Sequence, residues 1–342
     1  MIGIGVIGYG YWGPNLVRNF SDTPGSKVVA VSDLRVDRLE QLQARYPAVK
    51  VTTNHRDILS DPSVDAVVIA TPVATHFDLA MEALHAGKHV FVEKPLASST
   101  EQGERILDEA TRCRCVLLVD HTFVYTGAVR KIKELVQSAR LGQLYYYDSV
   151  RVNLGLFQHD VNVLWDLAVH DLAIMDYVLN ARPCAVGATG IAHVPGKPKD
   201  VAYLTCFFEN NLIAHFHVNW LSPVKVRKTL IGGAQQMIVY DDLEPSEKIK
   251  VYDKGITLNN GAQGKYDLLV GYRAGDMWAP QLDTTEALRT EANHFVECVE
   301  QGKQPITSGQ VGLRVVRILE AATQSMGQRG RPVELHWEGE RD

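Results

Sequence analysis

The sequence predicts an α/β protein of two domains, the first built on a parallel sheet and the second on a large antiparallel one. Three observations carry this. Apolar strands alternate with helices of ten or so residues up to His121, the pattern of a parallel sheet with helices on both faces. Beyond His121 the period changes, and strand follows strand through short turns. The chain has 342 residues, 46% of them hydrophobic, which supplies two cores and exceeds the needs of one compact core. The expected domains are 1–121 and 122–342.

In the first part, Ile2 to Ile7 is a short β-branched run, followed by a glycine loop and a helix over Pro14 to Phe20. Lys27 to Ser32 reads as a strand, and Val36 to Tyr46 as a helix with Leu39 and Leu42 on one face. The apolar run Val64 to Ala70, helix Phe77 to Ala86, strand His89 to Val92, a helix from Thr100 and strand Val116 to Val119 complete the series. In the second part a helix spans Ala128 to Ala139, a strand Leu144 to Asn153 and a long apolar helix Leu164 to Leu179. Strands are expected at Ala185–Ala192, Ala202–Phe208, Leu212–Trp220, Val226–Ile231 and Gln236–Tyr240. Asp241 to Asp283, with Asn259-Asn260-Gly261 inside it, reads as a long loop, of the sort that usually serves function or subunit contact. Helices Glu286–Gln301 and Val311–Met326 and a short strand near Val333 end the chain.

Charge and composition exclude several classes of function. A net charge of -5 from 35 basic and 40 acidic side chains, with no block of Lys or Arg, argues against a nucleic-acid partner. No apolar run is long enough to span a membrane, and Met1 to Val6 enters a strand without a basic flank or cleavage site. The cysteines at 113, 115, 184, 206 and 298 are sparse and odd in number, which suits a reducing cytoplasm and offers no zinc framework. No metal is expected.

Gly8-Tyr9-Gly10-Tyr11-Trp12-Gly13 has GxGxxG spacing directly after a strand and directly before a helix. In such a loop the first glycine permits the tight turn, the second lets backbone approach a pyrophosphate and the third lets helix and strand pack closely. Alone it reads equally as a glycine-rich turn. Asp33, however, closes the second strand 20 residues past Gly13, where a carboxylate accepts both ribose hydroxyls of NAD and repels a 2′-phosphate. Arg35 and Arg38 nearby keep NADP open. Thr71-Pro72, His76 in the next turn, and Glu93-Lys94-Pro95 follow predicted strands, and ligands of open parallel sheets lie beyond the carboxyl ends of strands. Lys94 also reads as a surface loop lysine, and His76 as a helix-start residue.

The helix from about Val161 is apolar nearly all round, yet Asn162, Asp166 and His170 recur at i, i+4 and i+8 on one face. A polar stripe on a buried helix must face partners or a cleft; the alternative is the solvent side of an amphipathic helix.

In order, these motifs resemble the glucose-fructose oxidoreductase / inositol dehydrogenase / MocA (Gfo/Idh/MocA) family nearly end to end, and the Glu93-Lys94-Pro95 segment is the distinctive part. The resemblance implies an N-terminal Rossmann domain that binds NAD and a C-terminal α/β domain on a large, mostly antiparallel open sheet. It implies a cis Lys94–Pro95 bond and a homodimer or homotetramer formed through the C-terminal sheet. It places Gly8, Tyr9, Gly10, Tyr11, Trp12, Gly13, Asp33, Thr71, Pro72, His76, Glu93 and Lys94 at the cofactor. Lys94, Asp166 and His170 are implied to surround the reacting carbon: histidine as base, Asp166 orienting it, Lys94 bonding the oxygen. Which of the three carries the proton stays open.

The segments GYGYWGPNLVRN and WDLAVHDLAIMDYVL resemble the branch of the family that works on nucleotide sugars, which implies a UDP-hexosamine or close analogue as small-molecule substrate. Arg151, Asn153, Gln158 and Asn162, on the approach to the catalytic helix, are candidates to grip phosphates or sugar hydroxyls. The alternatives are an inositol or free-sugar dehydrogenase and a non-catalytic NAD sensor. The presence of Lys94, Asp166 and His170 counts against the sensor.

Overall fold

The computed structural model describes residues 1–155, 158, 161–179, 181–258 and 270–337, with the side chains of 256–258 and 270–272 left aside. The chain divides into two compact units, Met1–Thr126 with Thr285–Arg317, and Gly127–Thr284 with Ile318–Asp342.

The first unit runs β1 (Ile2–Ile7), α1 (Gly13–Asp22), β2 (Ser26–Ser32), α2 (Val36–Arg45), β3 (Lys50–Thr52), α3 (His55–Ser60), β4 (Ala66–Ile69), α4 (His76–His85), β5 (His89–Glu93), α5 (Thr100–Cys113) and β6 (Leu117–Asp120). The sheet order is β3-β2-β1-β4-β5-β6, every pair parallel. Strands covered on both faces read as continuous apolar runs, and all four residues of β4 are buried. Strand order reverses between β1 and β4, which opens a crevice at their carboxyl ends. Neither β3 nor α3 stands out in the sequence. The strand is only three residues long, and the six-residue helix is set by Asn54, whose side chain accepts the Arg56 N–H.

The second unit contains α6 (Gly127–Gln137), β7 (Leu144–Leu154), a π-helical turn at Leu164–Ala168 and α7 (Val169–Val178). Then follow β8 (Ala185–Ile191), β9 (Val201–Phe207), β10 (Ile213–Asn219), β11 (Leu221–Gly233), β12 (Met237–Asp241), β13 (Ile249–Leu258) and β14 (Val270–Trp278). The chain ends with α8 (Ala287–Gln301), α9 (Gly309–Gly327) and β15 (Val333–Glu334), and the division between units falls within α9. The open sheet has nine strands in the order β14-β13-β12-β11-β7-β10-β9-β8-β15. Its one described parallel pair is β7 with β10; the others are antiparallel. Alternation fixes the buried face: Ala202, Leu204 and Cys206 of β9 lie in the core beside Ala214, Phe216 and Val218 of β10. The Tyr147 hydroxyl donates to the Asp171 carbonyl at 3.4 Å, tying α7 to that face. Pro223 removes a ladder donor, and the β11–β7 register shifts between Leu221 and Val226.

Two expectations are corrected. The stretch 241–283 is not one long loop: β13 and β14 pair within it, β13 lying against β12 with Ile249 and Val251 fully buried. Lys, Asp and Gly dilute the β signal there, and the neighbouring strand supplies what local propensity lacks. Asn259-Asn260-Gly261 lies outside the described residues. The segment 285–317 was expected in the second domain but belongs to the first unit, because α8 carries Leu288, Ala292, Phe295 and Val296 into that core. Phe295 stands edge-to-face with Phe20 at 6.1 Å and with Phe91 at 5.6 Å.

Candidate active site

In the first unit the three loop glycines are each required for a different reason. Gly8 has φ +100, and a Cβ on it would lie 2.5 Å from the Ala70 carbonyl oxygen. A Cβ on Gly13 would lie 2.5 Å from the Gly8 oxygen, so helix α1 closes on the loop. A Cβ on Gly10 would meet only the Arg35 guanidinium, at 4.0 Å, so backbone is open to a ligand there. Helix α1 begins without a side-chain cap, as a helix start that receives a pyrophosphate does. These residues fit NAD.

Asp33 is the most constrained polar group of the loop. Its Oδ2 accepts the Tyr9 N–H at 2.7 Å, and its Oδ1 accepts the Arg35 N–H at 2.9 Å. Burial pushes this carboxyl up, but the bonds from Arg35 and Tyr9 outweigh it and hold it below the usual range. An anchored carboxylate with lone pairs remaining can still accept ribose hydroxyls. Tyr9 contributes its backbone; its ring is buried in the core. Tyr11 and Trp12 are exposed and stand edge-to-face at 5.7 Å.

Two residues expected at the cofactor are placed elsewhere. His76 is 1% exposed, its Nδ1 lies 2.8 Å from the Pro95 carbonyl oxygen and its Nε2 2.9 Å from that of Thr71. It lies between the Thr71-Pro72 turn and the Lys94-Pro95 turn, and as a neutral imidazole its one N–H donates to one of the two carbonyls, which leaves the ring packed between backbone groups. Burial lowers its pKa, with the two carbonyls opposing. Glu93 alternates inward from β5 and is buried against Asp120 rather than facing the crevice. Thr71 and Pro72 follow β4, with the Thr71 hydroxyl 2.7 Å from that of Thr75. Lys94 is half-buried, and the Lys94–Pro95 bond is cis, as the resemblance implied.

In the second unit the expected straight α-helix is instead a π-helical turn over Leu164–Ala168, with the Val169 N–H reaching back to the Leu164 carbonyl. Such widened turns recur at functional sites. The Asn162-Asp166-His170 stripe is therefore not one α-helical face. Asn162 lies before the helix, where its Oδ1 caps the Leu164 N–H at 3.0 Å. Asp166 and His170 are both half-buried, and Asp166 Oδ2 accepts a hydrogen bond from the Trp220 indole at 3.0 Å. Sequence reasoning missed Trp220. It is fully buried at the β10–β11 junction, and its only advance signal was a tryptophan closing an apolar strand.

Arg151 was a candidate to grip substrate, and the structure corrects this. It is 3% exposed and forms a two-pronged ion pair with Asp171, Nε to Oδ2 at 2.7 Å and Nη2 to Oδ1 at 3.0 Å. Asp171 immediately follows His170, so this buried pair secures the start of α7. Asn153 and Gln158 are half-exposed. Among the described residues, no group of His, Cys, Asp and Glu could hold a metal ion, and no helix is long and apolar enough to cross a membrane.

Residues 2–121 match the model of an oxidoreductase family with an NAD-binding Rossmann fold, and residues 129–239 match the C-terminal domain of the same Gfo/Idh/MocA family. The chain is 26% identical to scyllo-inositol 2-dehydrogenase (NAD(+)) of Bacillus subtilis, covering 98% of this chain and 95% of that one. It is also 26% identical to UDP-N-acetylglucosamine 3-dehydrogenase of Acidithiobacillus ferrooxidans, covering 91% and 93%. The solved structure of a UDP-N-acetylglucosamine 3-dehydrogenase from that organism superposes with a TM-score of 0.78 at 24% identity, over 95% of this chain and 97% of that one. The chain thus belongs to the Gfo/Idh/MocA oxidoreductases, with NAD as the cofactor of its Rossmann domain.

Proposed function

We propose that the protein is an NAD-dependent dehydrogenase that oxidises a secondary hydroxyl of a sugar to a ketone, with the 3-hydroxyl of UDP-N-acetylglucosamine or a related nucleotide sugar as its target. The observation that carries the catalytic reading is the anchored Asp166, held by Trp220 four residues before the half-buried His170. Held by the Gly8–Gly13 loop and Asp33, NAD would supply the hydride acceptor. His170 takes the hydroxyl proton, Asp166 orients the imidazole and stabilises its protonated form, and the Lys94 ammonium donates to the reacting oxygen. Asn153, Gln158 and the amide N–H groups of Asn162 are the remaining candidates for sugar contacts.

The nucleotide-sugar assignment is supported by the near full-length likeness to UDP-N-acetylglucosamine 3-dehydrogenase. A second reading, an inositol dehydrogenase, is favoured by the somewhat longer likeness to scyllo-inositol 2-dehydrogenase and by the commitment of Arg151 to Asp171, which withdraws one candidate phosphate ligand. Incubating the protein with NAD and a panel of UDP-N-acetylglucosamine, UDP-glucose, myo-inositol, scyllo-inositol and glucose, and following NADH absorbance, separates the two. Turnover of an inositol with no response to any nucleotide sugar overturns the first reading.

A further inference from the structure

Three carboxyls of the first unit have no part in the cofactor loop or the acid–base set. Glu93 ends β5 and Asp120 ends β6, and the two residues are register partners across the parallel ladder. Glu291 approaches from α8. Their exposures are 7%, 3% and 0%. Glu93 and Glu291 each reach the Asp120 carboxyl, and the Thr122 hydroxyl, which also acts on Glu291, has a single proton and donates it to Asp120 Oδ1. Among the described residues, no donor of ordinary geometry serves Glu93 Oε1 or either oxygen of Glu291.

Other groups nearby do not neutralise three negative charges. Among the described residues, Lys94 is the cation beside Glu93, and it lowers the Glu93 pKa only in part against burial and Asp120. His121, wholly buried, is held neutral, pushed down to about 3 by burial and then by the Lys94 charge. Tyr125 faces Glu291 and bonds the Thr307 hydroxyl at 3.0 Å; burial and then Glu291 keep its phenol un-ionised. Three ionised carboxylates in contact, away from water, would be desolvated and mutually repelled. Two protons resolve this: they turn two acceptors into donors, leave one carboxylate to accept three bonds, and leave one negative charge to set against the Lys94 ammonium.

We propose that Glu93 and Glu291 are carried as neutral acids whose hydroxyls donate to the Asp120 carboxylate, and that this buried cluster is the positioning device for Lys94. It joins the end of β5, from which Lys94 projects, to β6 and α8. A neutral Glu93 leaves the adjacent ammonium to be presented to substrate instead of being quenched by its own neighbour. The role given to Lys94 rests on the function proposed above; the protonation of the cluster does not.

The test uses the full chain saturated with NAD. Infrared spectra in H2O and D2O at neutral pH are expected to show protonated-carboxyl C=O bands, one lost in Glu291→Gln and another in Glu93→Gln. In parallel, acylation of Lys94 is followed by peptide mass spectrometry as pH is raised. Besides the rise set by deprotonation of the Lys94 ammonium itself, the wild type is expected to show an alkaline inflection as the acids ionise; Glu291→Gln, which keeps an N–H donor, shifts that inflection because Glu93 alone remains to ionise, yet retains neutral-pH reactivity, whereas Glu291→Ala alters Lys94 reactivity at neutral pH too. Absence of protonated-carboxyl bands from the wild type overturns the proposal, and that measurement stands even if a variant fails to fold. Identical Lys94 profiles in wild type and Glu291→Gln also overturn it. Failure of every sugar to react, with the bands present, would count against the proposed function alone.

Discussion

The roles proposed for Asp33 and for the acid–base residues belong to single side chains. Asp33 is held by two backbone N–H groups before any cofactor arrives, so its carboxylate is preorganised. Asp33→Ser is expected to weaken NAD binding and relax discrimination against NADP, with Arg35 then free to meet a 2′-phosphate; fluorescence titration with both cofactors measures this. A wild type that bound NADP more tightly would contradict the role given to Asp33. General acid–base groups typically contribute at least about a hundredfold in rate. His170→Asn and Lys94→Ala should each lower turnover by at least about that factor while NAD affinity stays close to wild type. Near-normal turnover in His170→Asn would move the proton to Asp166 or Lys94. Gly8, Gly10, Gly13, Asp33, Lys94, Asp166 and His170 could be picked out from spacing and resemblance because each stands in a short local motif, although Asp33 and Asp166 are held by distant partners. His76, Glu93 and Arg151 could not be sorted the same way. Whether a histidine or an arginine faces a ligand or a buried partner is decided by which carbonyl or carboxylate the fold brings beside it.

At the scale of elements, the π-helical turn and the Arg151–Asp171 pair prepare the segment that bears Asp166 and His170. Periodicity predicted a continuous helix, and only the contacts around it choose the wider turn. Seven of the ten residues of α7 are buried, so the segment has little freedom to adjust. Removing one partner of a buried ion pair strands the other charge, at about 3–5 kcal/mol. Arg151→Met should destabilise the protein by about that amount in urea unfolding, and adding Asp171→Leu should recover much of it. A single variant as stable as wild type would show that the pair contributes little. The β13–β14 hairpin teaches the same lesson from the other side: its residues have weak strand signals, and the ladder to β12 makes the strand.

For the whole molecule, buried titratable groups set the limits of pH stability. Burial lowers the pKa of His76 and pushes His121 down to about 3, so the folded state resists protons that the unfolded chain takes up below its ordinary histidine range. Stability from these residues is present above that range and falls as pH drops, with a slope of about 1.4 kcal/mol per pH unit for each proton. Glu93 and Glu291 are raised well above the ordinary carboxyl range, chiefly by burial. Their contribution is complete at acid pH and is lost as pH rises through their folded values. Calorimetry across pH should therefore show stability falling on both sides, with Glu291→Gln flattening the alkaline side; an unchanged alkaline limb in that variant would remove Glu291 from the account. We also propose that the open face of the nine-stranded sheet pairs with a second copy of the chain. Tyr203, Phe207 and Ile213 are 43%, 38% and 45% exposed on one face, where Tyr203 stacks on His217 at 4.6 Å. Sedimentation velocity should show a dimer or tetramer, dissociated by Tyr203→Lys with Ile213→Lys; a wild-type monomer would reject the assignment.

Local pattern was sufficient to determine the parallel first sheet, the antiparallel character of the second one and the NAD loop. Each depends on residues close together in the chain or on a two- or 3.6-residue period. Tertiary structure alone decided that α8 returns to the first core, that Trp220 holds Asp166, that Arg151 serves Asp171 and that three carboxyls share one interior. These pairings join residues from 20 positions apart, as in Arg151 and Asp171, to 275 apart, as in Phe20 and Phe295. A side chain's partner across such separations is chosen by close packing and by the penalty for burying an unpaired polar group, and neither leaves a periodic trace in the sequence.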